Sequence, residues 1–352
     1  MRIGMPLNYS GGFAETVAEL SDYEKAGLDI VFVPEAYSFD AVSQLGFIAA
    51  RTERLQIASG ILQIYTRTPA LTAMTAAGLD YVSGGRFTLG IGASGPVVIE
   101  GFHGVPYTAP LGRTRELVEI CRQMWRRERL EYQGRHYQIP LPVQPGTTQR
   151  GKPLKLINRP VRERIPIVIA AIGPKNVAMT AEIAEGWQPM FYLPERAAEV
   201  WGDSLAQGCA KRDQSLGDLD VVVSAPLAIT DDTDAAAGLL DAIRPTLALY
   251  LGGMGAKGRN FYNNLVRRYG FEMEAETIQD LYLEGNKDDA AAMVPDELLR
   301  HTSLVGSVGF VRERLEVLHG SGVTTLNVIP MAGSAAERVR LIERIRHLAA
   351  DL

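Results

Sequence analysis

Four glycines, Gly90, Gly92, Gly95 and Gly173, stand where apolar runs end and helical patterns begin. Glycine at such points lets main chain approach a flat ring or a phosphate closely. Gly173-Pro174 also opens a helix, whose free N–H groups can hold an anion. Glu35 follows the apolar run Val31-Phe-Val33, where a carboxyl is partly desolvated and can serve as a polar group beside a reacting ring, or else sit in a salt bridge. Other chemistries lack their residues. His103, His136, His301, His319 and His347 are scattered, with no pair at metal-ligand spacing, so no metal site is expected. Gly92-Ala-Ser-Gly95 is one residue short of a nucleophile elbow around Ser94. Lys175 lies one turn into a helix rather than at a strand end, which suits a solvated or anion-facing residue better than a Schiff base.

The elements that must position these residues alternate along the chain. Strands are expected at Arg2 to Leu7, Asp29 to Val33, Leu55 to Ser59, Arg86 to Ile91, Ile165 to Ala170, Trp187 to Phe191, Asp220 to Ile229 and Thr325 to Pro330. Near-continuous apolar runs such as Asp29-Ile-Val-Phe-Val33 suit parallel strands covered on both faces. Helical patterns cover Ala14 to Ala26, Ala41 to Thr52, Pro69 to Val82, Lys175 to Ala184, Ala197 to Arg212, Ala235 to Tyr250, Val308 to Leu318 and Ala335 to Ala349. Eight strands with intervening helices predict an α/β fold, a closed (β/α)8 TIM barrel with insertions. No GxGxxG follows the first strand, which argues against an open dinucleotide-binding sheet. Two stretches exceed a minimal barrel, near 127–164 (with a hairpin-like Glu131-Tyr-Gln-Gly-Arg-His-Tyr137) and near 252–302. No linker or repeat divides residues 1–352, so one domain is expected.

Composition narrows the partners. The 352 residues carry Lys+Arg 36 against Asp+Glu 41, a net charge of -5 with no long basic cluster, which disfavours nucleic acid. No apolar run approaches the roughly 18 residues of a membrane span. Cys121 and Cys209 form no CxxC pattern and point to a reducing, cytoplasmic setting.

Gly60-Ile-Leu-Gln-Ile-Tyr-Thr-Arg-Thr-Pro69, a helix, and then Gly84-Gly-Arg-Phe-Thr-Leu-Gly-Ile-Gly92 resemble the luciferase-like monooxygenase superfamily. Gly173-Pro-Lys followed by Ala184-Glu-Gly-Trp187 is similar to its F420-dependent branch, which includes methylenetetrahydromethanopterin reductase. The resemblance implies a bacterial-luciferase-like barrel that binds coenzyme F420. It implies hydride transfer between C5 of the deazaflavin and an organic small-molecule substrate. It also implies a homodimer.

The same resemblance implies particular roles. Gly60–Ile61, with Leu62 beside it, would be a bulge bearing a non-proline cis peptide against the ring. Gly92, Ala93, Ser94 and Gly95 would line the ring or ribityl chain, and Ile172, Gly173 and Pro174 would hold the phosphate. Arg67 would meet the acidic tail or sit in a salt bridge, and Glu35 is the candidate catalytic group. Tyr37, Tyr65, Tyr107 and Tyr192 would donate hydroxyls to substrate or pack the rim. Phe261, with Tyr262, would enclose the substrate or form a buried helical face. Two departures restrict the substrate: Pro34-Glu35 stands where relatives carry Asp or Asp-His, and Thr68 where the methanopterin reductases carry histidine. The alternatives are an FMN-dependent monooxygenase served by a separate reductase, a non-catalytic flavin-binding protein, and a non-redox barrel.

Overall fold

The computed structural model describes residues 1–8 and 12–352. Strands and helices alternate from the start, as β1 (Arg2–Pro6), α1 (Phe13–Lys25), β2 (Ile30–Val33), α2 (Ala41–Ala49), β3 (Gln56–Ser59), β4 (Leu62–Gln63), α3 (Pro69–Val82) and β5 (Phe87–Gly92). A connecting region follows, with α4 (Pro96–Ile99), α5 (Pro110–Trp125) and an antiparallel pair, β6 (Tyr132–Gln133) and β7 (Gln138–Ile139). Next come β8 (Ile167–Ala170), α6 (Pro174–Ile183), β9 (Gly186–Gln188), α7 (Pro194–Cys209) and β10 (Asp220–Ile229). A helical block then holds α8 (Thr233–Asp241), α9 (Arg244–Ala248), α10 (Phe261–Arg268), α11 (Glu272–Leu283), α12 (Lys287–Ala292) and α13 (Asp296–His301). The chain finishes with β11 (Leu304–Gly306), α14 (Val308–Gly320), β12 (Thr325–Pro330) and α15 (Ala335–Leu348).

Parallel pairing runs β1-β2-β3-β5-β8-β9-β10-β12 and returns to β1, so the expected eight-stranded barrel is closed. Strand register sorts side chains between its inside and its outer shell. Arg2, Gln56, Asp220 and Thr325 plug the N-terminal end, where the Arg2 guanidinium donates to Thr325 Oγ1 and Gln56 Oε1, both at 3.0 Å, and to Asp220. Above them Ile30, Phe32, Ala58, Val168 and Val222 form an inner apolar cluster, separate from the larger core between strands and helices. Asn327 is wholly buried at that depth, and its Oδ1 fills the space opposite Gly4, 2.1 Å from where a Cβ would stand. Bulk inside the barrel therefore leaves the C-terminal mouth as the face free for chemistry.

Most element limits follow from local signals. Helix α3 begins at Pro69, with the Thr68 hydroxyl accepting from Leu71 N at 3.2 Å. Strands β10 and β12 have the expected limits, whereas β9 stops at Gln188. The helix expected over 235–250 is broken into α8 and α9, since Pro245 cannot donate to the preceding turn. Among the described residues no helix is long and apolar enough to cross a membrane.

Candidate active site

The mouth is shaped first by an offset between β3 and β5. Ala58 pairs with Thr88 and Leu62 with Ile91, so Ser59, Gly60 and Ile61 stand opposite only Leu89 and Gly90. This extra residue is a β-bulge, and the Gly60–Ile61 peptide within it is cis. Ser59 replaces the interrupted ladder: its hydroxyl donates to Gly90 O at 2.8 Å and accepts from Gly90 N at 2.9 Å. Gly90 must be glycine here, because a Cβ would lie 1.8 Å from Ser59 O.

The bulge turns Ile61 over a floor of small residues. A Cβ on Gly92 would stand 3.2 Å from Ile61 Cγ1 and Cδ1 and 3.4 Å from the Ala170 methyl. Ala170 pairs with Gln188, so Gly92, Ala170 and Gln188 face inward at one level of the mouth. Gln188 Oε1 is buried there without a hydrogen-bond partner. Two open glycines flank the floor, since a Cβ at Gly95 or Gly173 would meet no atom within 4 Å. Between Gly92 and Gly95, Ala93 and Ser94 are half-buried. Ser94 is left-handed at φ 58, and the Tyr107 hydroxyl donates to its carbonyl at 3.3 Å. Ile172 and Gly173 are half-buried ahead of Pro174, which starts α6, and no side chain caps that helix. A flat group resting against Ile61 with an anion at the α6 start would suit this cradle.

The charged candidates meet each other. Arg67 Nη1 donates to Glu35 Oε1 at 2.6 Å and Nη2 to Oε2 at 2.9 Å, with side chains 13% and 8% exposed. Glu35 Oε2 also accepts from Ala41 N at 3.0 Å, and Arg67 Nη2 reaches Asp40 Oδ1 at 2.7 Å. Hydrogen bonding to Glu35 holds the Arg67 guanidinium above its usual range. Burial pushes the Asp40 carboxyl up, but hydrogen bonding from Ser43 and the Arg67 charge outweigh it and hold Asp40 low. The geometry thus favours the salt-bridge alternative for both Glu35 and Arg67, which tie β2's exit to the β4–α3 segment. Beside them Gln63, buried on β4, donates to Ala36 O at 3.1 Å and leaves Oε1 without a partner.

The aromatic candidates separate. Tyr65 donates to Thr108 O at 2.9 Å and packs 5.1 Å from Tyr107, and burial pushes both hydroxyls up in pKa. Tyr37 is 62% exposed with its ring 6.2 Å from Phe102. Tyr192, expected at the mouth, is 4% exposed and stacks 5.6 Å from Trp201, and its hydroxyl donates to Ser321 O at 3.1 Å. It packs between the barrel and α14, away from the mouth, because the chain after Gln188 turns outward into α7. Phe261 is 49% exposed. Its neighbour Tyr262 meets the segment after β9 instead, 6.0 Å from Phe191 and 4.9 Å from Tyr250. Phe191 and Tyr250 were missed in the sequence, where nothing near either marks a cross-element contact.

Two cavities of about 520 Å³ lie outside the mouth, one against α5 and α6 and one between α7 and α14. Among the described residues no group of three or more His, Cys, Asp or Glu could hold a metal ion.

Known proteins share this architecture. The luciferase-like monooxygenase family model matches residues 1–325. The chain is 42% identical to a protein of Mycobacterium tuberculosis provisionally named a coenzyme F420-dependent oxidoreductase, over 99% of this chain and 98% of the relative. It is 29% identical to the 5,10-methylenetetrahydromethanopterin reductase of Archaeoglobus fulgidus, over 86% and 85% of the two. The solved structure of the coenzyme F420-dependent tetrahydromethanopterin reductase of Methanopyrus kandleri shares the fold, with a TM-score of 0.80, 21% identity and 99% of each chain covered. With a family match over most of its length and a full-length relative of that similarity, the chain belongs to the luciferase-like monooxygenase family.

Proposed function

We propose that this chain is an F420-dependent oxidoreductase acting on an organic small molecule. The observation that carries the reading is the floor of Gly92 and Ala170 beneath Ile61, flanked by open space at Gly95 and Gly173. The arrangement suits a flat ring resting against Ile61 with a phosphate-bearing side chain toward Gly173, and the 42% identical relative supports a deazaflavin as that ring. Bound there, F420 supplies a hydride at C5.

The chain's own part is binding, orientation and exclusion of water. Gly60 and Ile61 back one ring face, while Gly92, Ala93, Ser94 and Gly95 line the ring edge and ribityl chain; Leu62, expected beside them, is buried in the core between strands and helices and supports the bulge from behind. The N–H groups at Ile172 and Gly173, with the α6 start at Pro174, bind the phosphate. Glu35 acts as a positioning residue, its carboxylate held by Arg67, rather than as a free acid or base. Tyr65, Tyr107 and Tyr37 border the substrate side, with Phe191, Tyr250 and Tyr262 opposite.

The whole chain works as one unit, and we assign it to the cytoplasm, where the free thiols Cys121 and Cys209 stay reduced. Two copies pair through α3. On α3 the outward residues Leu71, Met74, Tyr81 and Val82 are exposed and uncharged. Asp80, the one charged residue of α3, is buried against Arg162. An apolar stripe of this kind on a folded surface suits a partner of the same character.

Titration of the apoprotein with F420 and with FMN tests the cofactor, and turnover with reduced F420 tests the activity. Preference for FMN with oxygen consumption would replace this reading with a flavin monooxygenase.

A further inference from the structure

Consecutive carbonyls at the α6 entrance are held by two tryptophans. Trp187 Nε1 donates to Ala171 O at 2.8 Å, and Trp201 Nε1 donates to Ile172 O at 2.9 Å. Both indoles are fully buried and meet edge to face at 5.2 Å. Trp187 lies on β9 between Gly186 and Gln188; Gln188 faces into the barrel, so Trp187 faces out. The two carbonyls are therefore drawn outward, behind the strand.

Peptide planarity gives this a consequence. The cis bonds of the described residues are Gly60–Ile61 and Ile139–Pro140, so the peptides after Ala171 and Ile172 are trans. In a trans peptide the N–H points opposite to the C=O. Holding Ala171 O and Ile172 O outward thus turns the N–H groups of Ile172 and Gly173 the other way, toward the mouth. None of the hydrogen bonds of the described residues uses either N–H. If either plane rotated, a carbonyl would replace an N–H at the mouth and repel an anion.

We propose that Trp187 and Trp201 are positioning residues that lock the Ile172–Gly173 peptides with their N–H groups presented to the cofactor phosphate. This rests on the assignment of the phosphate to the α6 start. The distinguishing property of such a lock is that it acts on the phosphate and not on the ring.

The test compares Trp201→Phe and Trp187→Phe with the unmodified protein. Each is titrated with 8-hydroxy-5-deazariboflavin 5′-phosphate and with 8-hydroxy-5-deazariboflavin, following ligand fluorescence. The unmodified protein should prefer the phosphorylated ligand. Loss of one indole bond should weaken that ligand by about tenfold and leave the phosphate-free one within about twofold. Equal weakening of both ligands, or a preference unchanged from the parent, would overturn the lock and leave the indoles as packing. If the unmodified protein bound both ligands alike, the phosphate assignment would fall, and the lock with it.

Discussion

Glu35 and Arg67, 32 residues apart in sequence, form a two-pronged ion pair at 2.6 and 2.9 Å, largely withdrawn from solvent. A pair of this geometry constrains both the turn after β2 and the segment leading into α3. Removing one partner leaves the other buried and poorly compensated, the costliest outcome for such a pair. Arg67→Ala should therefore lower stability by about 2–4 kcal/mol in urea denaturation. Glu35→Gln keeps hydrogen-bonding atoms and should leave cofactor affinity nearly intact while lowering turnover. The double substitution should cost clearly less than the sum of the singles, and simple additivity would show that the pair is not coupled.

At Gly173 the expected effect falls on binding alone. Its φ of -75° suits any residue, and a Cβ meets nothing within 4 Å. Gly173→Val should keep the thermal midpoint of the parent yet weaken F420 by about tenfold or more, since the new side chain occupies the approach to the N–H groups. Unchanged affinity in a titration would put the phosphate elsewhere.

Acid should destabilise the protein through specific carboxylates. Glu182 is held below its ordinary value of 4.5 by the hydrogen bond from Arg115. Burial pushes Glu195 up, but Arg314 outweighs it and the net shift is also downward from 4.5. A depressed folded value means stability that is present above the unfolded value and is lost as pH falls through the folded one. Denaturation midpoints should hold steady from these groups above 4.5 and decline below it. Arg115→Ala should flatten part of that decline, and an identical acid profile would remove the Glu182 pair from the account.

Association should depend on the uncharged α3 face. Met74→Glu combined with Tyr81→Glu places charge in the middle of the proposed contact, with little cost to the monomer because both side chains are exposed. Light scattering should show a dimer for the parent and a monomer for the variant. A dimeric variant would move the contact to another surface.

The sequence carried the barrel well and the side-chain partnerships poorly. Strands β10 and β12 and helix α3 were legible to the residue, because doubly covered strands read as apolar runs and Thr68-Pro69 marks a helix start. The small-residue turns at Gly92, Gly95 and Gly173 were also legible, since glycine at a strand end has few purposes. Pairings between distant elements were not. Arg67 could be read as reaching a ligand tail or a salt bridge, and only the folded chain brings Glu35 and Asp40 to it. A strand running to Phe191 would bring Tyr192 to the rim, but β9 ends at Gln188 and the chain turns outward. Tyr262 rather than Phe261 meets Phe191, a choice set by the phase of α10. The indole bonds to Ala171 and Ile172 have no sequence signature at all.

A side-by-side titration of the apoprotein with F420 and FMN tests the identity of the cofactor most directly. Tight binding of F420 with weak binding of FMN, followed by turnover of a reducible substrate with reduced F420, is the result expected. Tight FMN binding with weak F420 binding would contradict the account and make the chain a flavin-dependent member of its family.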